Sequence, residues 1–78
     1  MRILLQDTRT RRYYCLLDLW TEEIRAAFDF RHTGRALEFT HRSGLRDVQL
    51  VINFEDPKWD EIFPVPVPVG GVATREKA

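Results

Sequence analysis

The residues able to do chemistry are few, and their spacing does not suit it. Ser43 is the only serine, and it precedes Gly44, where a helix-end role accounts for it. No Gly-x-Ser-x-Gly elbow, Walker loop or Gly-x-Gly-x-x-Gly turn occurs. Cys15 with His32 or His41 would supply a nucleophile and a base. Yet Tyr14 and Leu16 flank Cys15 as in a strand, which suits a small core residue better. His32 and His41 would project about 180° apart on one helix, so they share no metal. Glu55, Asp56, Asp60 and Glu61 surround Trp59 but lack the alternating ligands and glycine of a calcium loop. They read as a solvated turn. The expectation is a non-enzymatic protein with no cofactor, no metal and no evident small-molecule substrate.

Two segments suit contact with macromolecules. Arg9, Arg11 and Arg12 stand beside Tyr13 and Tyr14, and arginines on a hairpin tip next to aromatics can hold phosphates and stack bases. Against this, no RNP-like pattern appears, and strand alternation sends one of the two tyrosines inward. Nucleic-acid binding through Arg9, Arg11, Arg12 and Tyr14 is the alternative reading.

The second segment is Phe63-Pro64-Val65-Pro66-Val67-Pro68-Val69. Proline at every second place forbids a helix and pushes the intervening residues to extended backbone. In an extended strand the missing donors at 64, 66 and 68 all fall on one edge, while Val65, Val67 and Val69 donate from the other. Such a strand adds to a sheet on one side only, and its proline side blocks further addition. The plainer alternative is a stiff spacer before a flexible end. The tail therefore predicts a protein partner or self-association, with Val65, Val67, Val69 and Trp59 as contact residues.

Composition narrows the classes further. The 78 residues carry 12 basic and 12 acidic groups and are 44% hydrophobic, unlike a disordered chain of low hydrophobicity and high net charge. Area scaling gives roughly 4,900 Å² exposed from about 13,300 Å² in the unfolded chain, enough for one modest core. Residues 1–46 hold nine arginines against six acids, and residues 47–78 hold three basic groups against six acids. The halves differ in sign but cancel, so no strong field draws in nucleic acid or an anionic membrane. No apolar run approaches the ~20 residues that span a bilayer. MRILLQDTRT reads as no signal peptide, and a single cysteine fits a reducing cytoplasm.

These residues must be positioned by a small α+β fold. RILLQ and RYYCLL form a hairpin across DTRTR. Thr21, Glu22 and Glu23 open one or two helical turns carrying Ile24, Ala27 and Phe28. Asp29 and Phe30 touch the sheet briefly. Thr33 caps the main helix, whose Ala36, Leu37, Phe39 and Thr40 share one face. Glu38 can pair with Arg42, and Gly44 with Leu45 closes the helix in the left-handed manner. Asp47 to Phe54 is the strongest strand, ended by Asp56-Pro57. The predicted architecture is an antiparallel sheet of three to four strands covered by one helix. One domain spans 1–62, with an extended segment and flexible end at 63–78. Leu5, Leu16 or Leu17, Leu37, Phe39, Val48, Leu50, Ile52 and Phe54 are its expected core.

LLQDTRTRRYYC, LWTEE, AAFDF, RALEFTHRSGL and DVQLVINFED together resemble a loose group of small uncharacterised bacterial proteins. The resemblance covers roughly residues 2–56 and rests on core and capping positions. It implies a bacterial protein of this architecture, and no functional residue is carried across. Members of the group often have a glycine in the first hairpin, where this chain has Arg11-Arg12.

Overall fold

The computed structural model describes residues 1–65. They run β1 (Arg2–Asp7), β2 (Tyr13–Leu16), β3 (Leu19–Thr21), a 3-10 turn (Ile24–Ala26), α1 (Thr33–Ser43), β4 (Val48–Asn53), a second 3-10 turn (Pro57–Trp59) and β5 (Glu61–Pro64). All neighbours in the sheet are antiparallel, in the order β3-β2-β1-β4-β5. The class is α+β, with five strands where three to four were expected. The boundary expected between residues 62 and 63 falls within β5.

The longest ladder joins β1 to β4, from Arg2 opposite Asn53 to Asp7 opposite Val48. On one face, Ile3, Leu5, Tyr14 and Leu50 pack with Phe30 and with Ala36 of α1. On the other, Leu4 and Val51 pack with Ala27, Tyr13 and Ile24. Both faces of the central strands are therefore covered, where the alternation of β4 had suggested one core face and one half-polar face.

Tyr14 centres the aromatic part of the core. Its ring lies 4.8 Å from Phe39, 5.6 Å from Trp20 and 6.0 Å from Phe30, centroid to centroid. Such spacings let the rings offset or meet edge to face, which adds to the apolar area they bury.

The extra strand β3 arises from a turn without the usual residues. Leu16 pairs with Leu19, and the two residues between them, Leu17 and Asp18, are both left-handed at φ 51° and 63°. That is the two-residue turn matching strand twist, normally signalled by Asn-Gly. Leu17-Asp18 gives no such signal, so this stretch read as a strand end and a helix start. Thr21 ends β3, and its hydroxyl oxygen accepts from the Glu23 N–H at 3.0 Å. Ile24–Ala26 follows as one tight turn.

Leu16, Leu17 and Leu37 are exposed rather than core, because the first two occupy the hairpin tip and Leu37 lies outside the buried stripe of α1. Leu5, Val48 and Leu50 are buried, whereas Phe39, Ile52 and Phe54 are half-buried. His32, not Thr33, is the N-terminal cap of α1, and its side chain makes no capping bond. The C-terminal end is as expected: Gly44 is left-handed at φ 68°, and Leu45 N–H donates to the Thr40 carbonyl at 3.0 Å. Arg42 lies 2.9 Å from Glu38. Arg11 is left-handed at φ 65°, a conformation that glycine adopts freely and that other residues disfavour.

Leu50 sits between β1 and β5 beneath α1. Leu50→Ala is expected to lose roughly 2–5 kcal/mol, a large share of what a small domain possesses. Urea denaturation of the two proteins measures it. An unchanged midpoint would contradict this placement of the core.

Candidate functional site

The β1–β2 loop is held from below by Asp7. Its carboxylate oxygen accepts from the N–H groups of Arg9 at 2.7 Å and Thr10 at 3.0 Å, a turn that aspartate forms with its own following backbone. Gln6 adds a bond from Nε2 to the Arg11 carbonyl at 3.0 Å, and Thr8 N–H donates to the Asp47 carbonyl at 2.8 Å. Arg9, Arg11 and Arg12 project from this rigid base and are all exposed. Arg9 lies 4.0 Å from Asp47 and Arg12 3.5 Å from Glu22, so two of the three face an acid across solvent. Exposed pairs of this kind contribute little, on the order of 0–1 kcal/mol. Tyr14 is separated from the arginines: it is buried among the aromatics and cannot stack on a base without unpacking them. Tyr13 is half-buried on the opposite face.

β5 brings the start of the tail into the sheet. Glu61, Ile62, Phe63 and Pro64 stand opposite Ile52, Val51, Leu50 and Gln49. Pro64 is thus in the same row as Gln49 and Gln6, whose side-chain amides bond at 2.8 Å. This row places the start of the tail at the same end of the sheet as the arginine loop. Val65 follows β5 and packs against the core beneath α1. Val67 and Val69 lie outside the described residues.

Trp59 is not near Val65. It belongs to the turn before β5, at the far end of that strand, and is exposed. Asp60 fixes this turn by accepting from Phe54 N–H and from Asn53 Nδ2, both at 2.8 Å. Asp56 accepts from Lys58 N–H at 3.2 Å, and the Lys58 ammonium stands 5.6 Å from the Trp59 ring centre. Asp56 and Asp60 are thereby turn-formers. Among the described residues, no three His, Cys, Asp or Glu side chains gather where a metal ion could be held.

Cys15 is half-buried, not sealed in the core, and its thiol lies 3.3 Å from the Ala26 carbonyl that accepts from it. Among the described residues, no helix is long and apolar enough to cross a membrane.

The fold and these surfaces define an α+β protein with a five-stranded antiparallel sheet and two exposed ends. No protein-family model matches the chain. Neither a curated protein nor a solved structure matches it at a significant level.

One titratable group ties β1 to the segment that precedes α1. The Asp29 carboxylate accepts from the N–H groups of Ile3 at 2.9 Å and Arg31 at 2.8 Å. Burial opposes its ionisation, but those two bonds and the charges of Arg2 and Arg31 outweigh burial and hold it below its ordinary 3.8. A depressed carboxyl contributes stability that is complete above its unfolded value and is lost as pH falls through its folded one. Stability is therefore expected to be level near neutrality and to fall below about pH 4. Asp29→Ala should be less stable than the parent at neutral pH and lose less than the parent on acidification. Urea midpoints at neutral pH and at about pH 3 measure both effects. Parallel losses in the two proteins would remove Asp29 from this role.

Proposed function

We propose that this chain is a non-catalytic interaction module, a small accessory subunit of the bacterial cytoplasm that binds a larger protein partly through its tail. The observation that carries this reading is where β4 begins. Continuing the β4–β5 register beyond Pro64 would set Val65 opposite Val48, the first residue of β4. Asp47 before it is left-handed at φ 57°, which stops an extended strand. The domain's own sheet therefore offers a partner to Val65 at most. Donors at Val67 and Val69 would need a strand from another chain.

That geometry supports edge addition in trans. Each new ladder bond contributes only ~0.5–1.5 kcal/mol net, so burial of the valines must supply much of the affinity. Proline-restricted backbone lowers the ordering entropy of docking. Arginine exposure on the β1–β2 loop favours a second reading, nucleic-acid binding. The burial of Tyr14 and the acids facing Arg9 and Arg12 count against it.

Amide exchange separates these readings. In the isolated protein, Val67 and Val69 are expected to exchange freely, with any protection limited to Val65. In bacterial extract, Val67 and Val69 should gain protection. Absence of protection in both settings would leave the tail a spacer and remove the interaction role. A gel shift with random-sequence RNA and DNA is expected to show no complex at physiological salt. Binding that falls steeply as salt rises would favour the arginine loop instead.

A further inference from the structure

At the end of the sheet opposite the arginine loop, the β2–β3 hairpin turns through two left-handed residues, Leu17 and Asp18. Asparagine and glycine suit such a turn because they tolerate positive φ. Leucine there is strained, and burial does not compensate it: Leu17 is 86% exposed, Leu19 62% and Leu16 49%. Beside the same hairpin lies a cleft of about 430 Å³ lined by Leu16, Phe28 and Phe30, with Arg31 and Arg35 also in its wall. Asp18, Arg31 and Arg35 have no ion-pair partner among the described residues. Asp29, the acid of the lining, is already engaged by the Ile3 and Arg31 N–H groups.

We propose that this end of the molecule binds a second copy of the chain, with the Leu17–Asp18 tip of each copy entering the cleft of the other. Tip and cleft are complementary in two ways. The leucine side chain would meet the apolar wall, and the Asp18 carboxylate would meet guanidinium groups suited to paired hydrogen bonds. Leu16 belongs to both the hairpin and the cleft wall, so a two-fold axis beside it brings both halves into use at once. A cleft of this size falls within the roughly 300–1,000 Å³ of ordinary ligand pockets. A lipid surface fits less well, because Asp18 is set between the exposed leucines. A second copy supplies both halves of the match, an exposed acid on the tip and arginines in the cleft wall.

One hairpin and one cleft make a small contact, below roughly 800 Å² per partner, so the association is weak. Sedimentation equilibrium of the full chain from ~1 µM to ~1 mM reads it directly. The parent is expected to dimerise reversibly across that range. Leu17→Asn keeps a residue that tolerates the turn, and circular dichroism should show it folded. Its dissociation constant should rise about tenfold or more. Asp18→Arg and Arg35→Glu should each weaken the dimer similarly. Arg35→Glu adds an acid to the first turn of α1, where the helix dipole favours it. Both changes in one chain re-pair the opposite charges and should restore dimerisation toward the parental value.

A parent that stays monomeric throughout would overturn the proposal. So would a dimer indifferent to Leu17→Asn, or single-variant losses that the double variant fails to recover. Every variant keeps the tail intact, so the outcome is independent of the tail's proposed role.

Discussion

The backbone of Ile3 is held at both ends by a segment that is not a strand. Its N–H donates to the Asp29 carboxylate at 2.9 Å, and its carbonyl accepts from Phe30 N–H at 2.8 Å. The need for this clamp follows from the sheet. β1 and β2 share a single registered pair, Gln6 with Tyr13, and diverge beyond it. Without a substitute ladder, the buried backbone of Ile3 would be left unpaired in an apolar setting, which is costly. Phe28 N–H completes the bridge by donating to the Tyr14 carbonyl at 2.9 Å. The same crossing takes the chain from one sheet face to the other, leaving Ala27 against Leu4 and Val51 and delivering Phe28 and Phe30 to Tyr14. Arg2 secures the entry, donating to the Ile24 carbonyl at 3.0 Å and the Ala27 carbonyl at 2.7 Å. Both halves of the core depend on that crossing.

Around this clamp the connections are short, and several are strained. Arg11, Leu17, Asp18, Arg31 and Asp47 all have positive φ without being glycine. Left-handed backbone disfavours a residue with a Cβ by roughly 1–2 kcal/mol, a sizeable fraction of a small domain's stability. Side-chain bonds offset part of this locally. Asp7 holds the turn that contains Arg11, and the Thr8 hydroxyl donates to the Asp47 carbonyl at 2.9 Å. Leu17 has no comparable compensation in the single chain, which singles out the β2–β3 tip.

The sheet has two different edges and two different ends. β5 closes one edge with a proline, so addition is blocked wherever the missing donor faces outward. β3 closes the other with only three residues, too short to template long pairing. The arginine loop and the start of the tail share one end. Trp59 sits at the far end of β5, and the leucine tip lies at the far end of β2. A partner that meets the tail therefore approaches a different part of the molecule from one that meets the leucine tip. The two proposed contacts would not compete for one surface.

Much of the local structure was legible in the sequence because it is set by residues near each other in the chain. The existence of β4, the Glu38–Arg42 pair, the Gly44–Leu45 helix stop and the Asp56-Pro57 turn each follow from spacings of a few residues. The tertiary structure decided what those rules do not reach. Leu17-Asp18 carries no turn signal, and β3 forms because Tyr14 and Trp20 gain a packed aromatic neighbourhood when they pair. Leu16 looked apolar enough for the core, yet the hairpin carries it to the rim. The sequence places Asp29 briefly against the sheet, but not its bond to Ile3, which lies twenty-six residues earlier. Short-range spacing reports backbone propensity. Which residues meet across a splayed sheet depends on chain crossing and burial, and these exist only once the whole fold has closed.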